Sequence, residues 1–211
     1  MKHKATIYLL FFCVLIISSQ TVCAQETKLI SKGSEWHYLD DGSTPKDNWI
    51  TKMFDTQKWK SGKAQLGYGD SDETTLINFG KNKKNKFITT YFRKKFHLDN
   101  VKNIKSVQLS IKYDDGAIIY LNGTEVVRPN MPKGIITNST LALNAINGST
   151  EKKFHLFDVD VNLLNLGENV LAVEVHQAKS TSSDLSFDLE LSATFFKDEK
   201  IKSPRKEIIE I

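Results

Sequence analysis

The chain has 211 residues, with 29 Lys and Arg against 25 Asp and Glu, and 40% of its residues are apolar. A chain of this length reads as one domain that can bury about 70% of its unfolded surface without staples. The near balance of charge gives no support to a nucleic-acid or membrane-surface partner.

Lys2 and Lys4 precede an unbroken apolar stretch from Ala5 to Ile17, followed by Ser18, Ser19 and Val22-Cys23-Ala24. This pattern predicts a secretory signal peptide over residues 1–24, cleaved after Ala24, because the apolar core is shorter than the span of about 20 residues that an anchor needs. Lipid attachment at Cys23 is the rival reading, but it calls for a small residue where Val22 stands. Both cysteines, Cys13 and Cys23, fall inside the removed segment. The mature chain is therefore expected to be exported (periplasmic, outer-surface or secreted), with no transmembrane span and no disulfide or thiol chemistry.

From Leu29 onward, short alternating runs are separated by Gly, Asn, Asp and Pro. The first third is rich in loops and carries Trp36, Trp49, Trp59, Tyr68 and Phe79. "KNKKNK" (81–86) reads as a solvated loop tip. "ITTYFRKKFHL" (88–98) and "SVQLSIKY" (106–113) have the period of two of strands with one buried face, the second turning Val107, Leu109, Ile111 and Tyr113 to one side. Asp114-Asp115-Gly116 then reads as a corner leading into "AIIYL", and Asn122-Gly123 as a hairpin turn, since a type I′ turn needs two residues that tolerate positive φ. "LLNLGENV" (163–170) suggests a turn of helix stopped by Gly167, feeding a strand over 169–177, and "LSFDLELSATF" (185–195) supplies the last strand. No stretch of eleven residues shows a helical stripe. Many short strands without βαβ alternation predict an all-β fold, an antiparallel β-sandwich, over residues 25–196. The charged stretch with Pro204 at 197–211 reads as a tail or linker.

Taken in order, "YFRKKFHL", "DDGAIIYLNGTEVVR", "FDVDVNLLNLGENVLAVEVHQ" and "SSDLSFDLEL" resemble galactose-binding-like jelly-roll domains. They are similar to the sugar-binding domain that precedes the catalytic barrel of β-galactosidases and β-glucuronidases. "WHYLDDGS" (36–43) and "FDTQKWKSGKAQLGYGD" (54–70) add a likeness to exported bacterial modules that sit beside catalytic domains, calcineurin-like metallophosphoesterases included. The resemblance implies a jelly roll and a non-catalytic module that binds a glycan or polysaccharide, or that serves as a structural or interaction accessory to a hydrolase partner. Fold alone does not choose between them.

For a sugar binder, rings stack on pyranose faces while planar polar groups fix hydroxyls. Candidate ligand-binding residues on that ground are Trp49, Tyr68, Arg93, Asp115, His176 and Asp184. Beside the functional reading stands a structural one: packing for the rings, a strand-edge salt bridge or backbone contact for Arg93, turn hydrogen bonds for Asp115, and an ordinary hydrogen bond at a strand end for His176. Trp59 reads as a core plug. A structural calcium is the one cofactor considered, with Asp70 and Asp72 of "YGDSDE" as its candidate ligands and Glu73, Asp40, Asp41 and Glu190 as further acids; none follows an EF-hand spacing. No paired-histidine zinc motif or serine-hydrolase elbow occurs, and the two opposed carboxylates a glycosidase needs, about 5 to 9.5 Å apart, have no sequence signature here. Catalytic residues are not expected.

Overall fold

The computed structural model describes residues 24–196. Residues 1–23, with both cysteines and nearly all of the expected signal peptide, and the expected tail at 197–211 lie outside the described residues. In chain order the strands are β1 (Ala24–Ile30), β2 (Glu35–Leu39), β3 (Lys60–Lys63), β4 (Leu66–Tyr68), β5 (Thr75–Leu76), β6 (Thr89–Leu98), β7 (Ile104–Tyr113), β8 (Gly116–Leu121), β9 (Thr124–Val127), β10 (His155–Val159), β11 (Gly167–His176) and β12 (Leu185–Phe196). They form two six-stranded sheets. The first runs β10-β7-β12-β4-β5, with β1 also on β12, and the second runs β3-β2-β6-β11-β8-β9. All pairings are antiparallel except β4 with β5. The expected all-β sandwich is the observed fold.

The alternating apolar residues meet between the sheets. Phe187 of β12 stacks on Phe92 of β6 with ring centroids 4.0 Å apart, and receives the edge of Trp36 of β2 at 5.0 Å. Val107, Leu109, Ile111 and Tyr113 are all buried, as their period of two requires. β12 is the spine of its sheet: it pairs β7 along most of its length, β4 at Leu185–Phe187, and β1 beyond, where Ala24 lies opposite Phe196.

The second sheet departs from the one-sided burial expected of alternating strands. In β6, β8 and β11 most residues of both parities are buried. Loops cover the outer face: Trp49 packs on Tyr91 and Tyr120, while Met131 and Ala142 pack over Ile118. Gly116 explains part of this covering. A Cβ there would stand 2.7 Å from Met131 Sδ and 2.8 Å from Ala142 Cβ, so the glycine serves the close approach of that loop rather than a left-handed turn. At the hairpin, Asn122 and Gly123 have φ of 52° and 91°, the positive pair expected of a type I′ turn. The helical turn is a 3-10 element at Val161–Leu163, earlier than expected, because Asp160 caps it by accepting from Asn162 N at 3.0 Å. Among the described residues no helix is long and apolar enough to cross a membrane.

Truncating Phe187 to Ala removes a ring at the contact between sheets and is expected to cost about 3–5 kcal/mol, whereas Met53→Ala, at a side chain 87% exposed, should stay within about 0.5 kcal/mol. Urea denaturation followed by tryptophan fluorescence reads both.

Candidate functional site

The segment between β2 and β3 folds back over the second sheet, and one buried cation holds it. Arg93 is wholly enclosed on the outer side of β6; its Nε donates to the carbonyl of Trp49 at 3.0 Å and its Nη2 to that of Thr51. The Phe54 ring lies 5.6 Å from its guanidinium carbon. Desolvation lowers the Arg93 pKa, yet a guanidinium stays charged, so the two carbonyls are its solvation. Trp49 is thereby pressed against Tyr91 and Tyr120, and Trp59 stacks on Trp49 at 6.3 Å, with Phe54 edge-on to Trp59 at 5.5 Å.

This half-buried outer layer lines an open cleft of about 560 Å³. Trp59 and Phe54 supply its rings, and Asp41, Asn48, Gln57 and Lys46 supply polar groups around them. Asp41 accepts from Ser43 N at 2.9 Å and from Ser43 Oγ at 2.5 Å; the Ser43 hydroxyl bond lowers its pKa and keeps it ionised. It is an acceptor for a hydroxyl, not a proton donor. The chemistry available is stacking plus hydrogen bonding, without a poised acid.

The sequence-derived candidates divide among three places. Trp49 and Arg93 belong to this layer but lie beneath it, while Trp59, expected as a core plug, reaches the cleft. Tyr68 does not share the groove. It is buried at the end of β4, where its hydroxyl accepts from Gln177 Nε2 at 2.9 Å and Lys86 Nζ stands 4.7 Å from its ring centroid; burial raises the phenol pKa. Lys86 itself corrects the reading of "KNKKNK" as a solvated tip: this last lysine is buried and donates to the carbonyls of Ser182 and Ser183. His176 is enclosed under the covering loop, its Nδ1 donating to Thr140 O at 2.8 Å and lying 2.9 Å from Thr89 Oγ1, while Nε2 is 3.2 Å from Glu174 without hydrogen-bond geometry.

The third place is the Asp-Asp-Gly corner, which crosses from β7 in one sheet to β8 in the other. Asp115 is a tie: its carboxylate accepts from Ile146 N at 2.7 Å, Ala178 N at 2.8 Å and Ser182 Oγ at 3.2 Å. Asp114 joins a group of three carboxylates with Glu151 and Asp184, whose oxygens lie within 4.8 Å of one another. Burial, then the neighbouring Asp115, then the charges of Asp184 and Glu151, push the Asp114 carboxyl up to about 9. Asp70 is next to this group, and burial followed by the charge of Asp184 raises its pKa too. The other metal candidate, Asp72, accepts from Gln65 Nε2 at 2.9 Å and faces Lys112 Nζ at 3.6 Å, while its charge also acts on Asp70. Asp40 is occupied by Lys60 at 2.8 Å, and Glu190 by Lys28 at 2.7 Å. Sequence reasoning chose Asp115 over its neighbour and passed over Glu151, which sits in a polar loop with no local signal.

No family model matches the sequence, and no curated protein matches it. Solved structures do. One is Bacteroides uniformis β-glucuronidase 2 bound to a cyclophellitol-type aziridine, 18% identical with TM-score 0.54 over 81% of this chain and 18% of that one. The fold is a β-sandwich shared with part of these glycosidases. A β-glycosidase from Bacteroides vulgatus is 14% identical with TM-score 0.51, over 79% of this chain and 20% of that one. A glycosyl hydrolase family 2 member from Bacteroides cellulosilyticus is 13% identical with TM-score 0.50, over 80% and 20%. The chain spans about a fifth of the length of these enzymes, in keeping with the glycosidase-type jelly roll that its sequence resembles.

Replacing Arg93 by Lys keeps the charge and loses the fork that meets two carbonyls. It is expected to cost about 1.5–3 kcal/mol and to speed amide exchange across residues 48–54, read by hydrogen–deuterium exchange, with the strands of the first sheet unchanged.

Proposed function

We propose that the protein is an exported, non-catalytic carbohydrate-binding module, with the Trp59–Phe54 cleft as its glycan site. The observation that carries this reading is the aromatic shelf at the surface, held from below by Trp49 and Arg93 and bordered by Asp41, Asn48 and Gln57. A pyranose presents an apolar C–H face to such rings and equatorial hydroxyls to the carboxylate and amides. The fold shared with glycosidases supports a carbohydrate-related role, and the charged, apolar and small-residue order of residues 1–24 supports export. One shallow site of this kind corresponds to dissociation constants of about 1 μM to 1 mM. In this reading the structural calcium expected from the sequence would brace the domain and take no part in bond cleavage.

A second role is favoured by the small share of the similar enzymes that the chain spans: an accessory module that positions a hydrolase, a glycosidase or a metallophosphoesterase, near its substrate. The two roles are compatible, since a glycan-binding module concentrates its catalytic partner on the polysaccharide.

Affinity electrophoresis and calorimetry of the purified protein against plant, bacterial and host polysaccharides test the binding role. Trp59→Ala should weaken retention at least tenfold while leaving the melting temperature within a few degrees, whereas Trp49→Ala should chiefly destabilise the fold by about 3–5 kcal/mol. Retention of the unmodified protein on no polysaccharide would remove the binding role, and undiminished retention of the Trp59 variant would move the site elsewhere.

A further inference from the structure

The carboxylates of Asp114, Glu151 and Asp184 converge from three separate parts of the chain: the inter-sheet corner, the β9–β10 connection and the turn before β12. A fourth, Asp70, is brought in by the residue before it. Gly69 lies so close to Asp184 that a Cβ would meet the Asp184 Cβ at 2.6 Å and its Cα at 2.8 Å, and Asp184 is the strongest like charge acting on Asp70. Packing of this kind assembles negative charge where simple stability would disperse it.

Independent of the clustering, the site holds polar atoms with no partner. Asp114 is 2% exposed, and its Oδ1 is sealed from solvent without a hydrogen bond; Asp70 Oδ2 is in the same condition. A third such acceptor, Gln177 Oε1, belongs to a side chain whose amide nitrogen donates to the Asp184 carbonyl at 2.7 Å. Buried carboxylate oxygens left unsatisfied are costly, and native folds seldom keep several together. Two lysines stand nearby, and neither forms an ion pair with the cluster among the described residues. Lys86 is committed to the Ser182 and Ser183 carbonyls, and Lys152 acts on Asp70 and Glu151 only through its field.

We propose that Asp114, Glu151 and Asp184, with Asp70 as a further oxygen donor, bind one divalent cation, calcium in preference to magnesium. All donors are hard oxygens, which fits an alkaline-earth ion and disfavours metals that seek nitrogen or sulfur. Three oxygens within 4.8 Å of one another leave a common point no more than about 2.8 Å from each, so small side-chain adjustments bring all three to a calcium–oxygen distance of roughly 2.4 Å; magnesium, at about 2.0–2.1 Å and near-octahedral, demands a tighter cage. None of the residues lines the cleft that carries Trp59, so the ion is structural: it fastens the loop bearing Glu151 to the corner and to the turn before β12.

The test uses the purified protein, stripped with chelator and titrated with calcium or magnesium while thermal unfolding is followed. Terbium serves as a luminescent probe, because Tyr68 lies near enough to Asp184 and Asp114 to feel their charges and so to sensitise its emission. Calcium is expected to raise the melting temperature by several degrees and magnesium by much less. Asp184→Asn and Asp114→Asn should each weaken calcium and terbium binding at least tenfold, and Asp72→Asn, whose carboxylate faces Lys112, should leave both unchanged. Asn keeps the shape of the buried Asp114 side chain and introduces no charge, so the stripped variant should melt close to the stripped unmodified protein, which separates loss of the ion from loss of the fold. The proposal is overturned if millimolar calcium shifts nothing and terbium does not luminesce, or if both cluster variants respond as the unmodified protein does. Glycan retention by either variant bears on the cleft alone, so the two readings fail separately.

Discussion

The Asp115 carboxylate decides where three loops end. By accepting from Ile146 N, Ala178 N and Ser182 Oγ, it gathers the β9–β10 connection and the β11–β12 turn at the corner where the chain crosses between sheets. Its two oxygens satisfy backbone and hydroxyl donors that burial would otherwise strand. The same gathering sets Asp184 and Glu151 against Asp114. The acidic site is thus a by-product of the tie beside it, two residues with one side chain each and opposite tasks.

A comparable division of labour shapes the other end of the second sheet. Among the described residues Arg93 forms no ion pair and spends its fork on two carbonyls, an arrangement that fixes a loop rather than neutralising a charge. Trp49 fills the space between that loop and the sheet, and Trp59 lies on top of it. The surface ring rests on an aromatic support whose own backbone carbonyl is held by Arg93, and a preorganised shelf of this sort lowers the entropy lost on holding a ligand.

Much of the fold was legible in the letters. Strands with a clean period of two, such as Ser106–Tyr113, announced their buried face, and Asn122-Gly123 announced its turn. What escaped was the covering of the second sheet: β11 mixes Asn169, Glu174 and His176 with apolar residues and so reads as an alternating strand with one buried face, yet those polar residues are enclosed too, and nothing in the local pattern announces the loops that cover them. The sites were harder for a related reason. Candidates such as Trp49, Arg93 and His176 were chosen for chemical type, yet type does not reveal depth: Trp49 lies under Trp59, ten residues later. Asp114 and Asp115 are identical and adjacent, and only the partners that each meets through long-range packing separate a loop tie from a member of the carboxylate group. Glu151 joins that group through long-range packing, for which no local spacing exists.

The pairing of β1 with β12 sets Ala24 directly opposite Phe196, so the two edges of the described domain meet as neighbours in one sheet. Opposed residues of an antiparallel pair are about 5 Å apart, a gap that a short turn spans. A splice of a few residues would close the sandwich into a ring, and the ring could be reopened near Gly134, where an added Cβ would meet nothing within 4 Å, with every ladder in both sheets left whole. By the same geometry the domain could be set into a surface loop of a host protein as a single-stemmed pendant, swinging from one attachment point instead of bridging two.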